Sequence, residues 1–284
     1  MKVSVCVITY NHAPYIRRCL DSLIMQQTDF PYEIIVNDDC STDGTTDILR
    51  EYEAKHPGLV KPIYHDENQV QKGIYQIFST FTFPKAQGEY IAMCEGDDYW
   101  LDPLKLQKQA DFLDAHPTHS MVFHAVRWSY NDGTIQDTHR YDNNMDVCPI
   151  EDMINYGFGF CNLNSLMINR QRYGNGFSKW LTETYVEDSP MVLHCYSTGK
   201  VGYINDVMSI YCYALPGSWS SSQQRSLRTR LFTLTQRITI FRAFDRWTNS
   251  KFHPAIKKQI RRGYKQALLV ELRIIKRKLT SKFI

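Results

Sequence analysis

Along the first third of the chain, short unbroken apolar runs alternate with stretches whose apolar positions recur every three or four residues. Residues 3–10, Val-Ser-Val-Cys-Val-Ile-Thr-Tyr, are rich in β-branched side chains and apolar almost throughout. That is the pattern of a strand buried on both faces. Ile16, Cys19, Leu20, Leu23 and Ile24 then fall on one side of a helix. A second strand is predicted over residues 32–36, ending at the polar turn 37–44, which offers several N-caps for a helix carrying Ile48, Leu49 and Tyr52. Residues 60–64 and 90–94 predict a third and a fourth strand. Strands alternating with helices imply βαβ units, hence an α/β fold with a Rossmann-like, mainly parallel sheet flanked by helices.

Beyond residue 100 the periodicity loosens. Asp102-Pro103 reads as a cap with proline at the first helical position, and Leu106, Ala110 and Leu113 mark the buried stripe of the helix that follows. Residues 120–128 predict a strand and Asp132-Gly133 a hairpin turn. Ser189-Pro190 opens a further helix that Gly199 ends, and 201–204 and 207–213 are two strand candidates. From about residue 222 the chain reads as helix with basic residues throughout. One domain is therefore expected over 1–220, in two halves (1–115 and 116–220), followed by a basic helical extension over 221–284.

Composition is that of an ordinary globular protein: 284 residues, 43% hydrophobic and 22% charged. No apolar stretch approaches the ~18 residues of a membrane-spanning helix, and the start does not resemble a signal peptide. Eight cysteines at irregular spacing, with no Cys-x-x-Cys, suggest neither a zinc site nor a disulfide framework. Together these features predict a cytoplasmic protein. The net charge of +3 conceals an asymmetry: residues 225–284 carry 17 Lys and Arg against Asp245 and Glu271 alone, +15, leaving −12 on the rest. An acidic body with a basic extension bears on partners.

The local signal richest in chemistry is Glu95-Gly-Asp-Asp-Tyr-Trp100, directly after an apolar strand. Open parallel sheets bind ligands at the carboxyl ends of their strands. Adjacent carboxylates there suit Mg²⁺ or Mn²⁺, which takes one or two carboxylates and completes its shell with water and substrate phosphate. A solvated Asp-Asp turn is the alternative. Asp38 and Asp39 follow the second strand, where a carboxylate accepts from a base or ribose, or simply caps a turn. Thr9, Tyr10 and Asn11 end the first strand beside both clusters, with Tyr10 placed to stack on a base or to pack. Neither Gly-x-Gly-x-x-Gly nor a Walker loop is present, which argues against dehydrogenases and P-loop enzymes.

Val-Ile-Thr-Tyr-Asn-His-Ala-Pro-Tyr-Ile, then Ile-Ile-Val-Asn-Asp-Asp-Cys-Ser-Thr-Asp-Gly-Thr, then Gly-Glu-Tyr-Ile-Ala followed by Glu-Gly-Asp-Asp-Tyr-Trp, resembles in order and spacing the family 2 glycosyltransferases of bacterial surface-polysaccharide type. The likeness is strong over residues 3–115 and weaker to about 215. It implies the GT-A fold, with a nucleotide-sugar half and an acceptor half. It implies too an inverting transfer from a nucleotide-sugar, by default a UDP-sugar, to a hydroxyl of a glycan or lipid-linked acceptor. By position, Thr9, Tyr10 and Asn11 match the nucleotide-contacting strand end, Asp39 of the Asp38-Asp39 pair the acid on the base, Asp97 the donor-side acid and Asp98 the metal ligand. Lys72 sits where a basic residue approaches the donor, or is a solvated loop lysine. Asp188 in Val-Glu-Asp-Ser-Pro matches the catalytic base, with Glu187 second to it; a carboxylate near a helix N-terminus is expected to stay ionised.

One departure stands out. Where such enzymes often continue Tyr-Arg-x-His, this chain has Tyr211-Cys-Tyr-Ala, so Cys212 and Ala214 take the Arg and His positions. The basic extension suggests an amphipathic helix on anionic lipid at the inner face of the plasma membrane, or a face packed on the acidic body or on a second subunit of a homodimer. Two other functions compete. A sugar nucleotidyltransferase would show a Gly-rich activating loop near the N-terminus, which is missing; a nucleic-acid-binding protein accounts for the basic extension but not for acidic clusters at successive strand ends.

Overall fold

The computed structural model describes residues 1–157, 159–174, 184, 186–215 and 227–280, without the side chains of 228, 230 and 274–280. The uncharged run Val3–Thr9 forms β1 at the centre of a parallel group, with β2 (Tyr32–Asp38) on one side and β4 (Tyr90–Glu95) on the other. β3 (Val60–Tyr64) adds in parallel beyond β2. The register sets Thr9 beside Asp38 and Ile8 beside Glu95, so the acidic strand ends lie along one edge of the sheet. The remaining strands among the described residues are β5 (Tyr99–Trp100), β6 (His119–Tyr130), β7 (Ile135–Thr138), β8 (Met167–Asn169) and β9 (Lys200–Tyr213), giving the order β3-β2-β1-β4-β8-β6-β9-β5 with β7 on β6. Short β8 runs antiparallel between β4 and β6, so β4, β6 and β9 all point the same way. The sheet is therefore mixed.

The two strand candidates at 201–204 and 207–213 are one strand, β9, which stays paired to β6 through register shifts around Ala125. Bulges of this kind let a strand carry polar residues such as Asn205 and Asp206 without leaving the ladder. The Asp132-Gly133 hairpin forms as expected, with Gly133 at φ +85.

Side chains alternate across the sheet and fill a separate core on each face. Val3, Val5 and Val7 meet α1 (Ile16–Ile24), α2 (Thr45–Lys55) and α3 (Lys105–Ala115) through Leu20, Leu49 and Leu106. Cys6, Met121 and Phe123 face α4 (Ile150–Tyr156) and α6 (Asp188–Thr198); α5 (Arg170–Tyr173) is a single turn after β8. The basic extension is two helices, α7 (Leu227–Trp247) and α8 (His253–Thr280), and it belongs to this second core: Ile240, Phe244 and Ile256 are fully buried in it. The helical run breaks at Asn249 and Ser250, at φ 49 and 61. Asn adopts this left-handed conformation more readily than most residues, which stops a helix that charge and apolar spacing alone would have continued.

Candidate active site

Glu95-Gly-Asp-Asp leaves β4 through a tight turn, closed by the Asp98 amide donating to the Glu95 carbonyl at 3.0 Å, which leaves Glu95 and Asp97 half-buried toward a cleft at the sheet edge and turns Asp98 into the protein. Gly96 is required by close approach rather than by its dihedral. A Cβ there would stand 2.7 Å from Thr9 Oγ1 and 2.8 Å from His12 Nδ1. Both of those atoms are buried and have no hydrogen-bond partner among the described residues.

Asp98, expected to bind the metal, is 1% exposed and has both carboxylate oxygens engaged. Oδ1 accepts from the Cys212 amide at 2.7 Å and Oδ2 from Asn164 Nδ2 at 2.8 Å. Asn164 also donates to the Ile210 carbonyl at 2.9 Å, so Asp98 fastens the end of β4 to β9. Burial, then the charges of Asp97 and Glu95, raise its carboxyl well above the usual range. Asp97 keeps its carboxylate toward the cleft; burial raises its pKa and the neighbouring His12 opposes the rise. Glu95 is pushed up to about 8 by burial and then by Asp97 and Asp188. Neither Glu95 nor Asp97 forms an ion pair among the described residues. Two neighbouring cleft carboxylates, both raised by burial and Glu95 raised further by Asp97, form a hard oxygen donor set suited to a divalent cation. No group of three or more His, Cys, Asp or Glu side chains among the described residues forms a metal cage.

Asp188 opens α6, half-buried. Its charge acts on Glu95 and on the Tyr211 phenol, which joins it to the same cleft. Burial raises the Asp188 carboxyl; the Ser189 amide and the guanidinium of Arg237 on α7 oppose the rise. Glu187 is spent elsewhere: it accepts from the Phe78 and Ser79 amides at 2.9 and 2.8 Å and from the Ser79 hydroxyl, holding the π turn Phe78–Thr82 against α6.

On the nucleotide side, Tyr10 is 40% exposed at the end of β1. Asn11, at φ 54, is tied to the loop after β2: its amide donates to Ser41 Oγ at 2.9 Å and its Oδ1 accepts from the Thr42 amide at 2.8 Å. Asp38, a nucleotide candidate, is instead buried, accepting from the Ser41 amide and hydroxyl and from Thr46 Oγ1. Both of its carboxylate oxygens are engaged in holding that turn. Asp39 is buried beneath the loop after β3, where it accepts from the amides of Gln69 at 2.6 Å and Val70 at 3.2 Å. Lys72, on that loop, pairs with Glu67. His12, Glu95, Asn164, Tyr211 and Arg237 were not singled out in the sequence. Glu95 and His12 stand inside the motifs, Glu95 as the last residue of an apolar strand beside the Asp-Asp pair; nothing local marks Asn164 or Arg237.

Comparison with known proteins places this geometry in a lineage. The sequence profile of "Glycosyl transferase family 2" matches residues 4–181. The uncharacterized protein Rv1520 of Mycobacterium tuberculosis is 47% identical over 131 residues, 46% of this chain and 37% of that protein, so the match spans little more than a third of the relative's length. The structure is similar to that of Staphylococcus aureus TarS residues 1–349 in complex with UDP-GlcNAc, with a TM-score of 0.65 at 21% identity over 85% of this chain and 66% of that one. It is similar also to the mannosyltransferase PcManGT from Pyrobaculum calidifontis in complex with GDP-Man and Mn²⁺, with a TM-score of 0.59 at 18% identity over 93% of this chain and 73% of that one. The fold is GT-A, and the chain belongs to glycosyl transferase family 2.

Proposed function

We propose that this protein is an inverting glycosyltransferase that moves a sugar from a nucleotide-sugar, by preference a UDP-sugar, to a hydroxyl of a glycan or lipid-linked acceptor. The observation that carries the reading is the meeting of Glu95, Asp97 and Asp188 in one cleft at the carboxyl edge of the sheet, beside Tyr10 and Asn11. Tyr10 offers a face for the base, and Asp39 an acceptor for a base N–H in exchange for the loop amides it now holds. Thr9 Oγ1 and His12 Nδ1 are unspent polar atoms beneath the donor.

In this reading the metal-binding role passes from Asp98 to Asp97, with Glu95 beside it, because both Asp98 oxygens are committed to structural hydrogen bonds. A bound divalent cation would supply charge neutralisation for the departing diphosphate. Asp188 accepts the proton of the acceptor hydroxyl as its oxygen attacks the anomeric carbon and the bond to the diphosphate breaks on the opposite face. Arg237 favours the ionised form of Asp188 that this step requires. Incubation with UDP-, GDP- and dTDP-sugars, with and without Mn²⁺, tests the reading: Mn²⁺-dependent nucleotide release from at least one is expected, and release from none contradicts it.

We propose further that α8 lies on an anionic membrane surface. No helix among the described residues is long and apolar enough to cross a membrane. Leu268, Leu269 and Leu272 are 56%, 50% and 53% exposed, on the face of α8 turned away from the core and between Lys257, Arg261, Lys265 and Arg273.

A further inference from the structure

We infer that Trp128, Tyr130, Tyr211 and Tyr213 form a subsite for a neutral pyranose ring of the acceptor; the inference rests on the glycosyl-transfer reading and assigns the substrate class on its acceptor side. The parallel register of β6 and β9 pairs Trp128 with Tyr211 and Tyr130 with Tyr213. Alternation along both strands then puts all four rings on one face. The rings touch as a group: Trp128 lies 4.9 Å from Tyr211 and 5.2 Å from Tyr213 between centroids, and Tyr130 lies 5.5 Å from Tyr213. All four are half-buried rather than sealed into the core. The Trp128 indole N–H has no hydrogen-bond partner among the described residues.

Position gives the cluster its meaning. Through β8, Ala92 of β4 is level with Val122 of β6, so Trp128 lies three residues beyond the level of Glu95, about 10 Å at ~3.3 Å per residue. The ribbon projects past the end of β4 on the edge that carries the carboxylates. Tyr211 is the member nearest them: burial and then the charges of Glu95, Asp98, Asp97 and Asp188 raise its phenol. The platform therefore begins at the reacting carboxylates and runs outward.

Its chemistry selects the ligand. Tyr and Trp combine an apolar body with a polar tip, matching a sugar ring whose faces are C–H and whose rim is hydroxyl. On the opposite face of the ribbon Arg127 pairs with Asp137 at 2.6 Å and Arg18 donates to Cys212 Sγ at 3.6 Å. The carboxylates of Glu95, Asp97 and Asp188 act on the Tyr211 end of the platform and repel an anion, so the occupant that fits is a neutral sugar.

The test is saturation-transfer NMR on the full chain with methyl β-D-glucopyranoside and methyl N-acetyl-β-D-glucosaminide, with glycerol phosphate as the anionic comparator and Mn²⁺-dependent UDP uptake measured on the same samples. At least one glycoside is expected to bind, and glycerol phosphate to bind more weakly. Glycoside affinity should fall about tenfold, the size of one lost aromatic stack, in Trp128→Ala and in Tyr213→Ala. Trp128→Phe should restore most of it, which a purely packing role would not require. UDP uptake without glycoside binding, or glycoside binding unchanged in a folded Tyr213→Ala, overturns the subsite alone; failure to take up any nucleotide overturns the donor reading with it.

Discussion

Asp97 and Asp98 are neighbours in sequence with opposite environments, and the difference is one of partners. Asp98 is met by an amide 114 residues away and by an Asn 66 residues away, whereas Asp97 faces the cleft. An Asp-Asp pair after a strand was enough to locate a carboxylate site; which of the two oxygen pairs is free depends on Cys212 and Asn164, whose approach no local pattern records. The same holds for Asp38 and Glu187, whose oxygens are consumed by the Ser41 and Thr46 hydroxyls and by the amides of the π turn. Asp188 is the proposed proton acceptor, so Asp188→Asn is expected to reduce transfer by about 10²–10⁴ while nucleotide binding persists. Single-turnover assays beside UDP calorimetry check this, and unchanged turnover removes Asp188 from the role.

A second residue-scale prediction concerns pH. Lys105 is fully buried, with Nζ donating to Gln109 Oε1 at 2.8 Å and lying 3.8 Å from the centre of the Trp100 ring. Burial pushes its ammonium down to about 7, against opposing effects of Cys94 and Asp102. In the unfolded chain the amine titrates near ~10.4, so between about 7 and 10.4 the unfolded state binds more protons and stability rises with pH. Below that window both states are charged and the burial cost is felt in full. Relative to Lys105→Met, the wild type should gain at most about 1.4 kcal/mol per pH unit across the window, read by urea unfolding. A difference that stays flat from about pH 7 to about pH 10 contradicts the assignment.

At the scale of elements, β1 to β4 and α1 to α3 were legible because each is a short, strongly patterned segment, and β1 to β3 also pair with their neighbours in sequence while β4 returns to β1. The basic extension was not. Its charges read as a tail, yet the apolar residues between them include Ile240, Phe244 and Ile256, which fill the same core as Phe123 and Tyr203. Helical spacing alone does not say which stripe finds a partner. Phe244→Ala should therefore cost about 3–5 kcal/mol of global stability, as for a ring removed from a packed interior. A change below about 0.5 kcal/mol in chemical unfolding, typical of surface sites, would mean that α7 is peripheral to the fold.

At the scale of the whole molecule, the −12 body and the +15 extension are not two separate objects. α7 brings Arg237 to the acidic cleft, while α8 turns Leu268, Leu269 and Leu272 outward among lysines and arginines. The charge division read from the sequence thus acts twice: inward at the proposed base and outward at the proposed lipid surface. Flotation with anionic vesicles should recover the wild type at low salt and less of it at high salt, and less again when Leu268, Leu269 and Leu272 are changed together to Ser. Equal recovery of the triple variant contradicts the membrane face.

The measurement that bears most directly on the central claim is titration calorimetry of UDP with and without Mn²⁺ on the wild type, Asp97→Asn and Asp98→Asn, each first verified as folded. Mn²⁺ should strengthen UDP uptake by the wild type, and Asp97→Asn should lose that enhancement. Folded Asp98→Asn should keep a substantial part of it. Enhancement that survives in Asp97→Asn and vanishes in folded Asp98→Asn, or that is absent from the wild type, contradicts the account.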